Sequence, residues 1–264
     1  MVDLSAASLE DTKNFFRQYY APNNAVLTVA GDVTAGEVKA MVQKYFGEIP
    51  RGPAITRPVA TGFTLPRDTM VVLEDKVQLP RVYLNWHSVR LYSQDDAALK
   101  LLGYILAGSK NGRLTERLVY DQQVATDVVA ENDSKRLDGD FLIYATARPG
   151  HSLPELQDLI DTAIRRIGAE GPTARELEQA KNNIESSFLN RLERVSSKAN
   201  QLNSYYYFAG SPDFFNQDLA RYRAVTAADI QRVARQYLGA HRVVLSIVPE
   251  GKPGMAAKAP EATP

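Results

Sequence analysis

Three histidines, His87, His151 and His241, are the side chains of this 264-residue chain best suited to ligate a metal or move a proton near neutral pH. Their spacing argues against both roles. No two stand four apart, so no helical turn offers a ligand pair. There is no cysteine, which removes disulfides, thiolate ligands and cysteine nucleophiles. His87 follows Trp86 in the alternating run Val82–Val89 and reads as a strand residue with local hydrogen bonds. His151 precedes a capped helix, and His241 falls in the turn before the last apolar strand. Gly108-Ser109-Lys110-Asn111-Gly112-Arg113 has the composition of a phosphate cradle, but it follows a helix and lacks the Gly-Lys-Ser/Thr ending, so it reads as a turn between helices. Tyr205-Tyr206-Tyr207-Phe208 is the densest aromatic run. Stacking on nucleic acid would need basic neighbours, and residues 201–204 and 209–215 supply none. Asp138-Gly139-Asp140 reads as a hairpin turn, since a calcium loop needs many more oxygen ligands in register. No nucleophile elbow or dinucleotide fingerprint is present.

The elements that must position these residues announce themselves at helix starts. Ser/Thr-x-x-Asp/Glu lets the first side chain accept from a free backbone N–H while the acid reaches back. It occurs at Ser8/Asp11, Thr34/Glu37, Ser93/Asp96, Ser152/Glu155, Thr173/Glu176 and Thr226/Asp229, each followed by an apolar stripe. Behind Ser152 the stripe is Leu156, Leu159, Ile160, Ala163, Ile164 and Ile167. Behind Thr173 it is Leu177, Ala180, Ile184, Phe188, Leu192 and Val195. Strands are expected at 25–30, 70–73, 81–89, 124–130, 140–147 and 242–248. Residues 51–68 form a proline-rich linker and 251–264 a disordered tail. Segregated strands and helices predict an α+β fold, a mostly antiparallel sheet with helices packed on one face. Lys+Arg and Asp+Glu are 31 each, so no net charge draws the chain to nucleic acid or to a membrane surface. No apolar run approaches the ~20 residues of a membrane span. The opening MVDLSAASLED has no basic region followed by an apolar one, so no signal peptide is expected there. A soluble protein of bacterial periplasm or cytoplasm fits equally.

One fixed offset relates two distant stretches. SLEDTKNFFRQYYAPNNAVL from residue 8 aligns without gaps on TAADIQRVARQYLGAHRVVL from residue 226, matching Asp11 to Asp229, Arg17-Gln18-Tyr19 to Arg235-Gln236-Tyr237 and Val26-Leu27 to Val244-Leu245. This reads as a duplicated helix-to-strand module. The second copy closes a long series of strands and helices. Residues 1–50 are then expected to be the closing part of an incomplete first repeat, and 69–250 a complete second repeat.

The same residues resemble the pitrilysin/insulinase family of zinc metallopeptidases. Tyr20, Pro22, Asn23, Asn24, Gly31, Asp32, Tyr45, Phe46, Gly47, Ile49 and Pro50 match the closing segment of that family's first repeat. Residues 70–248, with ILAGSKNGRLTERLVYDQQVATDV, are similar to the repeat that follows. The resemblance implies zinc held by an inverted His-x-x-Glu-His motif upstream of residue 15. That motif is absent, no metal ligand is carried over, and zinc is expected only in an upstream part that this chain lacks. Some members also place an Arg and a Tyr at the substrate carbonyl. The matching positions here are Val119 and Thr126, so those donors are missing. Tyr120 stands one residue out of register. By the resemblance, the chain is a non-catalytic portion of such a peptidase, inactive alone, walling a chamber for a polypeptide substrate; Asn111 and Arg113 are its candidate substrate contacts. It would pack on the metal-bearing part, or on a second copy, through residues 1–50. The alternative is a non-hydrolytic scaffold or binding subunit of the same fold.

Overall fold

The computed structural model describes residues 2–258. In chain order the elements are α1 (Val2–Ala6), α2 (Leu9–Tyr19), a 3-10 turn (Pro22–Asn24), α3 (Ala35–Phe46), β1 (Thr69–Asp75), β2 (Arg81–His87), α4 (Asp96–Ala107) and a π-helix (Thr115–Asp121). They continue with β3 (Ala125–Ser134), β4 (Gly139–Ala147), α5 (Leu153–Glu170), α6 (Ala174–Arg191), α7 (Val195–Ala209), α8 (Phe215–Ala224), α9 (Ala227–Tyr237), β5 (Arg242–Pro249) and a 3-10 turn at Pro253–Met255. The chain divides into two compact units, one of residues 1–59 with 189–215, the other of 60–188 with 216–264.

The larger unit is the expected α+β layer. Its five strands run in the order β1-β5-β2-β4-β3, all antiparallel except the β1–β5 pair. Alternation decides which face is covered. Val82, Leu84 and Trp86 of β2, Phe141, Ile143 and Ala145 of β4, and Val244 and Val248 of β5 are buried. Helix α5 packs on β2 and β4 and α4 on β3, with α9 against both helices. The α5 stripe is as spaced: Leu156, Ile160, Ala163, Ile164 and Ile167 are all buried. Each leucine or isoleucine among them contributes roughly 1.5–3 kcal/mol by leaving water, and Ala163 less. Gly103 lets α4 approach β3 closely, because a Cβ there would lie 2.9 Å from the carbonyl oxygen of Ala130. Charged groups are held inside as well, Arg242 among them. Arg242, 4% exposed, bonds Asp161 at 2.5 and 2.8 Å, lies 3.6 Å from Asp68 and stacks 5.3 Å from the Trp86 ring. Paired in this way, its burial is tolerated.

Two expectations in this unit are corrected. The cap at Ser93/Asp96 does not form. Asp96 is fully buried and turns instead to Ser134, Lys100, Arg221 and the Tyr92 N–H, so the stronger tertiary partners take its carboxylate. The segment from 251 is ordered through 258. The Ala257 N–H donates to the Ser246 hydroxyl at 3.0 Å, and the turn at 253–255 packs on β1 and β5. Residues 259–264 of the expected tail lie outside the described residues.

In the smaller unit α2 and α3 carry their predicted caps, a complete capping box at Ser8/Asp11 and a Thr34 hydroxyl accepting from Glu37. The Pro22–Asn24 turn ties down the following chain. Asn23 accepts from the Gly52 N–H at 2.9 Å and donates to the Pro53 carbonyl at 3.0 Å. The Thr28 hydroxyl donates to Asn203 of α7 at 2.6 Å. The strand expected at 25–30 is not formed. Ala25 is extended, but 25–30 has no strand partner among the described residues, and Val26, Leu27 and Val29 are 46%, 59% and 47% exposed. A strand is defined by its neighbour, so sequence pattern alone does not make one. The stripe continued past Arg191 is also interrupted, because a turn at 192–194 separates α6 from α7.

Candidate functional site

The turn at 108–113 joins α4 to the π-helix, as its place after a helix and its missing Gly-Lys-Ser/Thr ending indicated. Gly112 permits the crossing, since a Cβ there would lie 2.9 Å from the Leu106 carbonyl oxygen. The two candidates within the turn go separate ways. Arg113 is held through two of its three guanidinium nitrogens, Nη1 having no hydrogen-bond partner. Its Nε and Nη2 donate to the two Glu176 carboxylate oxygens at 2.6 and 2.9 Å, and Nη2 also donates to the Gly171 carbonyl at 3.0 Å. This bidentate fork pins the turn to the start of α6. With the Thr173 backbone and hydroxyl adding to the guanidinium, the Glu176 carboxyl is pulled down to about 2. On its other side Arg113 borders a hollow of about 330 Å³ shared with Glu116, Arg117, Asp121 and Arg166.

Asn111 opens on a different hollow, of about 500 Å³, lined by Tyr104 of α4 and by Arg175, Glu178, Gln179, Asn182 and Asn183 of α6. These α6 positions recur at three- and four-residue steps, so they form one face of the helix, opposite the stripe that buries Ala180 and Phe188. Sequence reading followed the apolar stripe and passed over its polar complement. The signal was present in the spacing of Gln179, Asn182 and Asn183.

The histidines are dispersed. His87 Nε2 pairs with Asp138 at 2.5 Å, His151 Nδ1 with Glu155 at 3.0 Å, and His241 Nδ1 with the Leu65 carbonyl at 2.6 Å. Among the described residues no three His, Cys, Asp or Glu side chains group as a metal site would require. The residues present therefore do not fit a resident zinc. Val119 has no donor to offer, the Thr126 hydroxyl is spent on Asp127 and the Thr146 carbonyl, and Tyr120 is half exposed. No preorganised donors for a carbonyl oxygen stand there. Of the aromatic run, Tyr205 is buried and packs edge-to-face on Phe214 at 5.6 Å, while Tyr206, Tyr207 and Phe208 are 50%, 47% and 39% exposed. No described helix is long and apolar enough to cross a membrane.

Comparison with known proteins places these features in a family. The family described as "Peptidase M16 inactive domain" matches residues 6–184. Among curated proteins, the "Zinc protease PqqE" of Helicobacter pylori is 27% identical over 247 residues, covering 90% of this chain and 54% of that protein. The "Non-peptidase homolog YmxG" of the same organism is 24% identical over 212 residues, covering 80% of this chain and 48% of that protein. The crystal structure of a protease from Helicobacter pylori has a TM-score of 0.87 at 24% identity, covering 94% of this chain and 61% of that one, and shares the fold. The chain thus spans about half the length of the curated relatives it matches.

Proposed function

This chain belongs to the peptidase M16 inactive-domain family, in keeping with its resemblance to pitrilysin and insulinase, and from that premise we propose that it forms one wall of a peptide-holding chamber, packed on a metal-bearing part outside these residues. The domain itself is non-catalytic. Relatives named as zinc proteases extend well beyond the matched region, and the proposal assigns zinc and hydrolysis to that additional length. One observation carries the packing. The smaller unit leaves Phe15, Phe16, Tyr20, Leu27, Tyr45 and Phe46 each more than half exposed, and segment 25–30 pairs with no strand among the described residues. An apolar patch with a segment that has no strand partner calls for a sheet edge and a helix face to cover it. The metal-bearing part supplies both; a second copy of this chain is the competing occupant. Within the chamber a polypeptide substrate meets Asn111, while Arg113 serves by fixing the turn that carries it.

A second reading, a non-hydrolytic scaffold or binding subunit, is favoured by the loss of carbonyl-directed donors at Val119 and Thr126. It is favoured too by a relative named as a non-peptidase homolog.

Co-expression with a His-x-x-Glu-His-bearing polypeptide of the same genome tests both. Under the first reading the two co-purify and together cleave a quenched fluorescent peptide that neither cleaves alone, with loss of cleavage on chelation. A stable complex with no cleavage supports the scaffold. No complex, with the chain monodisperse and unchanged in size after deletion of residues 1–50, overturns the packing.

A further inference from the structure

The hollow beside Asn111 has no role in holding the fold together. Asn111, Gln179 and Asn182 make no side-chain hydrogen bond, and neither do Arg175, Glu178 or Tyr104, although the six converge on one concavity. Three charged side chains elsewhere on α6 are used in packing: Glu176 holds Arg113, Lys181 the Arg223 carbonyl, and Glu185 the Arg223 guanidinium. We infer that this hollow binds the main chain of an extended polypeptide, with little regard to its side chains. The inference rests on the reading of the chain as a chamber wall and specifies how that wall grips its substrate.

The chemistry of the lining selects the ligand. Its one cation, Arg175, is balanced by its one anion, Glu178, so neither a phosphate nor a polycation is favoured. It is not apolar, so it is not a pocket for one hydrophobic side chain. Its characteristic groups are carboxamides, each offering two donors and an acceptor. The alternating N–H and C=O groups of an extended chain are complementary to such a set. The dimensions agree as well. From Arg175 to Asn183 the helix rises about 12 Å, the length of roughly three to four extended residues. A volume of about 500 Å³ lies within the range of ligand sites. A main-chain grip suits a chamber wall because it tolerates varied substrate sequences.

Fluorescence anisotropy of this chain with a labelled, uncharged peptide of glycine, serine and threonine tests the inference. The lining side chains make no internal hydrogen bonds, so the double variant N182A/N183A folds, and an unchanged circular dichroism melt verifies it. Its affinity falls about tenfold, the loss expected for two ordinary hydrogen bonds, while S186A on a neighbouring face of α6 binds as the parent does. The same peptide N-methylated at alternate amides binds as weakly as the double variant shows. Equal affinity of the double variant, or of the methylated peptide, overturns the inference. So does absence of binding by the parent chain, or displacement of the peptide by maltohexaose, which would mark a glycan site. Assembly with the metal-bearing polypeptide is read separately, so failure here leaves the chamber reading standing, and failure there leaves a peptide-binding hollow without a chamber.

Discussion

Arg113 and Asn111 stand two residues apart in one turn, and nothing in that turn says which of them is free. The answer lies in Glu176, 63 residues away, which takes the guanidinium in a two-point grip. That grip has a signature in acid. The Glu176 carboxyl is depressed to about 2 from an ordinary value of 4.5, so the folded form binds its proton more weakly than the unfolded form does. The resulting stabilisation is fully present above pH ~4.5 and is lost as pH falls toward 2. For a partly exposed pair it amounts to about 1–2 kcal/mol. The melting temperature of E176Q should therefore lie below that of the parent at pH 7, and the gap should close between pH 4.5 and 2.5. A gap that stays constant over that range would show that the pair is not what titrates. Candidate residues are legible as types in a sequence, but whether they are available depends on distant partners.

The same limit appears at the scale of elements. Val26-Leu27 and Val244-Leu245 occupy equivalent places in the two look-alike stretches, behind equivalent capping boxes at Ser8/Asp11 and Thr226/Asp229. Both helices form, because a cap and an apolar stripe are local instructions. Only the second stretch becomes a strand, β5, held between β1 and β2. Substitution exposes the difference. V244D puts a charge at a fully buried position and should abolish cooperative unfolding, whereas L27D, at a site 59% exposed, should shift the melt by less than about 0.5 kcal/mol. L27D should at the same time weaken association through the smaller unit, read by light scattering. If L27D proved as destabilising as V244D, segment 25–30 would belong to a core within this chain. Five of the six expected strands were legible from β-branched or alternating runs, and the sixth failed for want of a neighbour. The cap expected at Ser93 failed for the opposite reason, since Asp96 found better partners in Ser134 and Arg221.

For the whole molecule, family membership and site chemistry point the same way. The fold is that of a peptidase domain, and the three histidines are each committed to a different partner. Elemental analysis of the purified chain should find less than about one zinc per ten molecules after dialysis, because a structural or catalytic site needs three or four converging ligands. Stoichiometric zinc that survives H87A, H151A and H241A tested singly would demand a site built in another way. The strand order β1-β5-β2-β4-β3 has a further consequence. The piece inserted between β1 and β2 is β5, the last of the described strands, and Thr69 meets Val243 across 174 residues. On the ribosome, β1 must wait with no neighbour until residues 242–249 have emerged, and a product stopped short of residue 242 can never close that edge. Closure of this sheet is thus governed by a strand made long after the edge it completes.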